Sequence, residues 1–353
     1  MSLEKFRKNI DAIDEKIVRL LNARACEVKE INAVKKGRAI NTFSADREEQ
    51  VLRRVKHLSV KGNALSGEDV ASVFGEIISV CRGLQSKLKI AYFGPQGTFT
   101  HMAAIKKFGK KPDYLGFDTI ADVFDAVERG QVDYGIVPVE NSTDGVVSHT
   151  LDMFFTSQLK VCSQVTISVS QCLMGKGTIE NIKRVYSKQI VFGQCRKWLS
   201  ANLGFAQLED CISTARAAQI AAKEKNSACI GNKILAEIYG LKVLQASIED
   251  SLYNYTRFLV IAKNDSLPSG KDKTSLLLAI KDRVGALHDV LNAFKKGKIN
   301  LTKIESRPSK EKPWEYRFFI DFEGHRQDAH IQKVLTALEK ECTFVKILGS
   351  YPA

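Results

Sequence analysis

A chain of 353 residues, 44% of them hydrophobic, is long enough for two or three domains with real cores, yet it has no apolar run near the ~20 residues of a membrane span and opens on a charged helical stretch with no secretory signal. Its eight cysteines, scattered from Cys26 to Cys342 without a C-x-x-C pair, and its six unclustered histidines argue against a disulfide scaffold or a metal site and for reduced thiols in a cytoplasm. The net charge of +13 is spread out, with no basic tract interleaved with aromatics, which argues against nucleic acid and suits a basic enzyme that steers small polyanions.

From Leu3 to about Lys36, apolar residues recur at helical spacing (Phe6, Ile10, Ile13, Ile17, Leu20, Leu21, Val28, Ile31, Val34) with no Gly or Pro between them. At 1.5 Å per residue this helix is roughly 50 Å long, wider than a compact domain of its size, so its seam calls for a second copy in an intertwined helical dimer. Two more helices are predicted, one over Ala45 to Lys61 and one from Ser66, with Asp69 as the acidic end of a capping box, to about Ser86. Arg24 and Lys35 are about three turns apart and share a face, whereas Arg7 lies about 100° away round the helix and cannot serve the same pocket from the same helix, though in an intertwined dimer the neighbouring chain could supply it. Cys81 and Gln85 share a face of the third helix.

The set Arg7, Asp14, Arg24, Lys35, Asp46-Arg47-Glu48 and Gln85 resembles the all-helical chorismate mutases of the AroQ type. The resemblance implies that Arg7, Arg24 and Arg47 bind the carboxylates of chorismate, one Arg coming from the second subunit. It also implies that Lys35 and Gln85 hold the ether oxygen, that Glu48 holds the ring hydroxyl, and that Cys81 and Ser44 lie nearby. A pericyclic rearrangement needs no nucleophile, only a compact dianion and positive charge where the C–O bond polarises.

Beyond about residue 89 the pattern alternates between strands and helices: KIAYFGP, a helix over Thr100 to Phe108, another over Ile120 to Arg129, then DYGIVPVE. A long β stretch, Leu159 to Met174, precedes RVYS, a helix from Gln194 to Asn202, Ala206 to Cys211, a helix from Thr214 to Lys225, SACIGN, Ile234 to Tyr239, LKVLQASI and RFLVIAK. That stretch crosses between lobes in an α/β, two-lobed arrangement of the type II periplasmic-binding kind. Asn254–Phe258 reads as a strand with a polar mouth, delivering a hydroxyl and a guanidinium to a cleft. GPQGTFT opens a helix whose N–H groups suit an anion, without the G-K-[ST] of a P-loop.

In order and spacing, GPQGTFT, VPVENSTDG, Tyr186-Ser187 with Gln194-Cys195, Ser213-Thr214-Ala215 and NYTRF resemble the prephenate dehydratases. The resemblance makes Thr256 the main catalytic residue, with Glu140, Asn141, Ser142, Ser213 and Thr214 lining the site and Arg257 as a carboxylate partner. A Thr hydroxyl is too weak an acid to act alone, so Thr256 orients or relays a proton, for which Glu140 is a candidate source if burial raises its pKa. Lys188-Gln189 stands where the family often has His-Pro, which leaves that loop outside the expected site.

A polar linker over 264–273 leads to strand, helix, two strands (INLTKIES and WEYRFFIDFE), helix and strand, the ferredoxin-like α+β order. Gly285-Ala286-Leu287 and Glu305-Ser306-Arg307-Pro308 resemble the phenylalanine-binding motifs of the ACT regulatory domain. The expected chain is therefore multidomain: an all-α mutase (1–88), an α/β dehydratase (89–263) and an ACT sensor (274–353). Expected partners are chorismate, prephenate, L-phenylalanine as effector and a second or further copy of the chain, with no cofactor and no metal. Arogenate as dehydratase substrate, or a silent small-molecule sensor, are the alternatives.

Overall fold

The structure, a computed structural model, describes residues 2–37, 43–59, 64–251, 253–308 and 316–353. Helix α1 (Leu3–Gly37) is one unbroken rod, about 52 Å long. Helices α2 (Ala45–Ser59) and α3 (Gly67–Gly83) pack on each other, and Ser66 and Asp69 close the expected capping box. Lys61, the expected end of the second helix, lies outside the described residues. The seam of α1 stays open: Phe6, Ile10 and Ile13 are all exposed by half or more, and Ile17 and Leu20 by 48% and 70%. A stripe of that kind marks an interaction surface.

The first lobe comprises β1 (Lys89–Phe93), α4 (Phe99–Phe108), β2 (Asp113–Phe117), α5 (Ile120–Glu128), β3 (Tyr134–Asn141), β4 (Gly145–Val146), α6 (Ser148–Thr156) and β5 (Lys160–Ser168). The second comprises β6 (Cys172–Gly175), β7 (Arg184–Ser187), α7 (Gln189–Gln194), α8 (Arg196–Asn202), β8 (Gln207–Asp210), α9 (Thr214–Ala221), β9 (Ser227–Gly231), α10 (Ile234–Tyr239) and β10 (Lys242–Gln245). Strand β11 (Tyr255–Ala262) then returns to the first lobe, antiparallel between β3 and β5. The sheets run β2-β1-β3-β11-β5, with β4 beside β3, and β10-β6-β9-β7-β8. Leu159 to Met174 is thus two strands in two sheets, with the lobe crossing between them. The helix expected over Gln194 to Asn202 is α8, separated at Cys195 from α7, and α7, β2, β4 and α6 were not foreseen.

The C-terminal unit has β12 (Asp272–Ile280), α11 (Ala286–Lys296), β13 (Leu301–Pro308), β14 (Tyr316–Glu323), α12 (Ala329–Glu341) and β15 (Cys342–Pro352), in the sheet order β13-β14-β12-β15. Trp314 and Glu315, expected at the start of the third of these strands, lie outside the described residues. Helices α11 and α12 cover one face of the sheet, around Val290, Phe294 and Leu338. The other face packs on the first lobe: Leu277, Phe319, Leu348 and Tyr351 share one core with Phe154, Val161, Leu259 and Ile261. The linker is docked, not free. The Ser266 hydroxyl donates to the Cys162 carbonyl (2.6 Å), and Arg53 of α2 donates to the carbonyls of Ser269 (3.2 Å) and Lys271 (3.0 Å). Among the described residues no helix is long and apolar enough to cross a membrane.

Strands β15 and β5 approach so closely that Gly349, at φ +155°, leaves no room for a side chain: a Cβ there would sit 2.1 Å from the Val161 carbonyl oxygen. Gly349→Ala is expected to loosen this contact and destabilise the protein by about 3 kcal/mol, read as a lowered urea midpoint.

Candidate functional sites

Two cavities hold most of the singled-out residues. The first, about 330 Å³, lies between α1, α2 and α3 and is lined by Arg24, Lys35, Arg47, Glu48, Cys81 and Gln85 together with Ser44, Glu27 and Arg82. The buried Arg24 Nη1 and Gln85 Oε1 have no hydrogen-bond partner, a donor and an acceptor left for something that enters. Burial pulls the Lys35 ammonium below its ordinary pKa, against the charges of Asp46 and Glu48. Arg7 sits some 25 Å back along α1, outside this cavity.

Arg82 was not foreseen, although it stands three residues before Gln85, in the last turn of α3, which ends at Gly83 and leaves Gln85 in the turn just beyond it. It is 7% exposed and grips Glu48 with a fork, Nε to Oε1 at 3.0 Å and Nη2 to Oε2 at 3.1 Å. Its guanidinium lies over the rings of Phe43 (5.1 Å) and Phe108 (5.5 Å), so the last residue of α4 buttresses a residue of the helical cavity. Burial pushes the Glu48 carboxyl up, against the opposing charges of Arg82, Lys107 and Lys35.

The second cavity, about 610 Å³, is the cleft between the lobes. At its floor Asn141 is fully engaged. Its amide donates to Asn254 Oδ1 (2.7 Å) and Thr256 Oγ1 (2.8 Å), and its carbonyl accepts from the backbone N–H of Thr143 (2.8 Å) and Asp144 (2.9 Å). Thr256 is therefore an acceptor toward Asn141, and its O–H hydrogen is left to point at the cleft. Ser213 caps α9 by accepting from Arg216 N–H (3.0 Å), and the buried Thr214 begins the helix at the wall. Gln194 joins the lobes, donating to Asp144 (3.1 Å) and accepting from Gln171 (3.1 Å).

Three expectations are corrected by strand geometry. Successive side chains of β3 and β11 point to opposite faces. Asn141 and Thr256 face the cleft, so Glu140 and Arg257 face away from it. Arg257 Nε meets Glu140 Oε1 (2.8 Å), its Nη2 meets Asp321 Oδ2 (2.5 Å), and Lys303 also pairs with Glu140. Arg257 is thus no carboxylate anchor for the cleft. Nor is Glu140 a proton source: burial alone would raise its pKa, but Arg257 and Lys303 outweigh it and hold the carboxyl below its ordinary range. Ser142 is the third: it brackets the strand, donating to the Tyr253 carbonyl (2.8 Å) and accepting from Tyr255 N–H (2.9 Å). Among the described residues, the cations that line the cleft are Lys188 and Arg216. Lys188 belongs to the loop left outside the expected site, and Arg216 gave no signal beyond its place after Ser-Thr-Ala.

In the C-terminal unit Gly285 (φ +82°) precedes α11, Ala286 is buried, and Leu287 packs against the helical-face core. On β13 the alternation divides the second motif. Glu305 pairs in register with Phe319 of the lobe-facing core, and Ser306 with Phe318 of the helical-face core; Pro308 is exposed. Arg307, expected at an effector, is committed to the first lobe, donating to Ser148 Oγ (2.9 Å) and Asp152 (3.1 Å).

Family models match in chain order: Chorismate mutase type II over residues 6–86, Prephenate dehydratase over 90–266 and ACT domain over 274–340. The bifunctional chorismate mutase/prephenate dehydratase of Aquifex aeolicus (strain VF5) is 44% identical over 353 residues, 99% of this chain and 98% of that protein. Its counterpart of the same name in Neisseria gonorrhoeae is 43% identical over 350 residues, covering 98% and 96%. Among solved structures, the prephenate dehydratase of Arthrobacter aurescens in complex with L-Phe matches 75% of this chain and 90% of its own, at 30% identity and a TM-score of 0.70.

The Glu48–Arg82 fork makes a signed expectation. A carboxyl whose folded pKa is raised binds protons more tightly folded than unfolded, so it costs stability as pH rises from its ordinary value through the folded one. Arg82→Met removes the largest opposing charge, pushes Glu48 further up and widens that window. Urea unfolding at neutral pH should show a loss of about 3 kcal/mol, shrinking as pH is lowered toward 4.5.

Proposed function

The chain belongs to the bifunctional chorismate mutase/prephenate dehydratase family, and on that premise we propose how its residues divide the work. It converts chorismate to prephenate, and prephenate to phenylpyruvate, carbon dioxide and water. We take residues 1–88 as the mutase, 89–263 as the dehydratase and 274–353 as the ACT sensor. The unpaired free thiols, six of the eight of them buried, fit a reducing cytoplasm.

For the mutase, the carrying observation is one cavity with unsatisfied buried donors and acceptors. Arg24 and Arg47 hold carboxylates as guanidinium forks, and Lys35 with the amide N–H of Gln85 donates to the ether oxygen as the C–O bond breaks and the new C–C bond forms. Glu48, fixed by Arg82, accepts from the ring hydroxyl, and Cys81 packs beside it. Arg7 is supplied by a second copy of the chain, whose α1 covers the open apolar seam.

For the dehydratase, the carrying observation is the Asn141–Thr256 pair. Asn141 orients Thr256 so that its O–H donates to the departing ring hydroxyl, which takes up a proton from solvent and leaves as water as its C–O bond breaks. The electron pair of the breaking C–CO₂ bond completes the aromatic ring. Lys188 and Arg216 steer and hold the pyruvyl carboxylate, and Thr214 with the first N–H groups of α9 contributes further donors. The ring carboxylate is best left unpaired, because strong ion pairing would oppose its loss as neutral carbon dioxide.

L-Phenylalanine acts as the feedback effector. Gly285, Ala286 and Leu287 at the start of α11, and Glu305, Ser306 and Pro308 of β13, are the residues of this chain that match the motifs, with Arg307 serving as a strut to the first lobe instead.

Lys35→Ala is expected to abolish chorismate turnover and leave prephenate turnover intact, and Thr256→Ala to do the reverse; each is followed by absorbance on its own substrate. Ile17→Asp on the open seam should yield monomers in sedimentation, without mutase activity. Calorimetry should show L-phenylalanine binding at or below millimolar ligand, and phenylpyruvate output from chorismate should fall with it.

A further inference from the structure

We propose that Lys303 and Asp321, two residues of the C-terminal sheet, are positioning residues for the dehydratase centre. They act through Glu140 and Arg257 on the adjacent rung that carries Asn141 and Thr256. The inference rests on the reading of Asn141 and Thr256 as that centre.

In the first lobe, β3 and β11 pair Asn141 with Thr256 and, one rung on, Glu140 with Arg257. In the C-terminal sheet, β13 and β14 pair Lys303 with Asp321. The two rungs of opposite charge face each other across the domain contact and bond crosswise, Glu140 with Lys303 and Arg257 with Asp321, while Glu140 and Arg257 also bond along their own rung. Lys303 is 9% exposed, Arg257 10% and Asp321 not at all. The second carboxylate oxygen of Asp321 accepts from Ser275 Oγ (2.5 Å), itself bonded to the buried Tyr351 hydroxyl (2.7 Å), so the anion is held rigidly from the sensor side. Neither charge of the lobe rung can move without uncovering a buried partner.

The ladder shifts register between Arg257 and Phe258, which leaves Val139 as an extra residue on β3. A bulge re-aims the side chains beside it; the two rungs beyond it stay paired with each other, with β4 and with β5, and their aim is fixed further by whatever grips the far face. Here that grip is Lys303 and Asp321. Lys303 is also two residues before Glu305 on the strand that bears the second effector motif, and Arg307 further along ties the same strand to Ser148 and Asp152. A shift of β13 is therefore passed to the Asn141–Thr256 rung through Glu140.

The test uses the full-length enzyme and the variants Lys303→Met, Lys303→Arg and Asp321→Asn, each assayed on chorismate and on prephenate. Expected is a fall of about 10- to 100-fold in dehydratase kcat, with prephenate KM within about twofold and mutase kcat unchanged; constancy of both is what general unfolding would not produce. Lys303→Arg should restore most of the lost kcat. L-Phenylalanine should inhibit Lys303→Met less than the parent, although calorimetry still finds the effector bound. Glu140→Gln combined with Lys303→Met should cost no more than the worse single change. If Lys303→Met keeps parental kcat and parental inhibition while Thr256→Ala is inactive, the proposal is overturned. Should Thr256→Ala remain active on prephenate, the assignment of the centre itself is what fails. Should Asp321→Asn not fold, the Lys303 pair decides alone.

Discussion

The alternation of side chains along two paired strands governs the centre of this molecule. Because β3 and β11 are neighbours in register, Asn141 and Thr256 meet on one face and Glu140 and Arg257 on the other. The first pair makes a neutral hydrogen-bonded site in a cleft. The second makes an ion pair that needs a covering surface, since a partly buried charge must be both paired and hydrogen-bonded. The C-terminal sheet supplies that surface with Lys303 and Asp321, and its apolar face completes the core of the first lobe. A regulatory unit attached only by a tether would leave both unmet.

A related dependence appears at the helical end. Glu48 is buried enough that its charge needs a fork, and the fork, Arg82, needs the aromatic faces of Phe43 and Phe108 above it. Phe108 closes α4, whose other end, at Phe99 and Thr100, lines the cleft between the lobes. One ten-residue helix thus touches both cavities, as a wall of one and a buttress of the other. The helical module also rests on the linker through Arg53. Three units that are separate in sequence are continuous in packing.

Much of this was legible in the chain. Helical spacing from Phe6 to Val34 demanded a long rod, and α1 is that rod, with Phe6, Ile10, Ile13, Ile17 and Leu20 left exposed along it. The turn-rich motifs at strand ends located the cleft, since Ser, Thr, Asn and Gly start helices and leave N–H groups free. The strand-helix order of the last 80 or so residues specified their fold.

What sequence alone determined was composition at each position and periodicity along each element, which together decide what kind of element forms and which residues share a face. Which face looks where was decided only by tertiary structure. Arg257, next to Thr256, read as its partner in the same site; the pleat turns it away, and a sheet some 60 residues further on claims it. Arg307, inside an effector motif, is taken by Asp152 for the same reason. Lys188, Arg216 and Arg82 carry no local pattern that distinguishes them from surface cations, and acquire their roles because distant elements fold up against them. The reason is range: hydrophobic period and turn chemistry act over a few residues, whereas the partner of a charge is chosen by the three-dimensional packing of the whole chain.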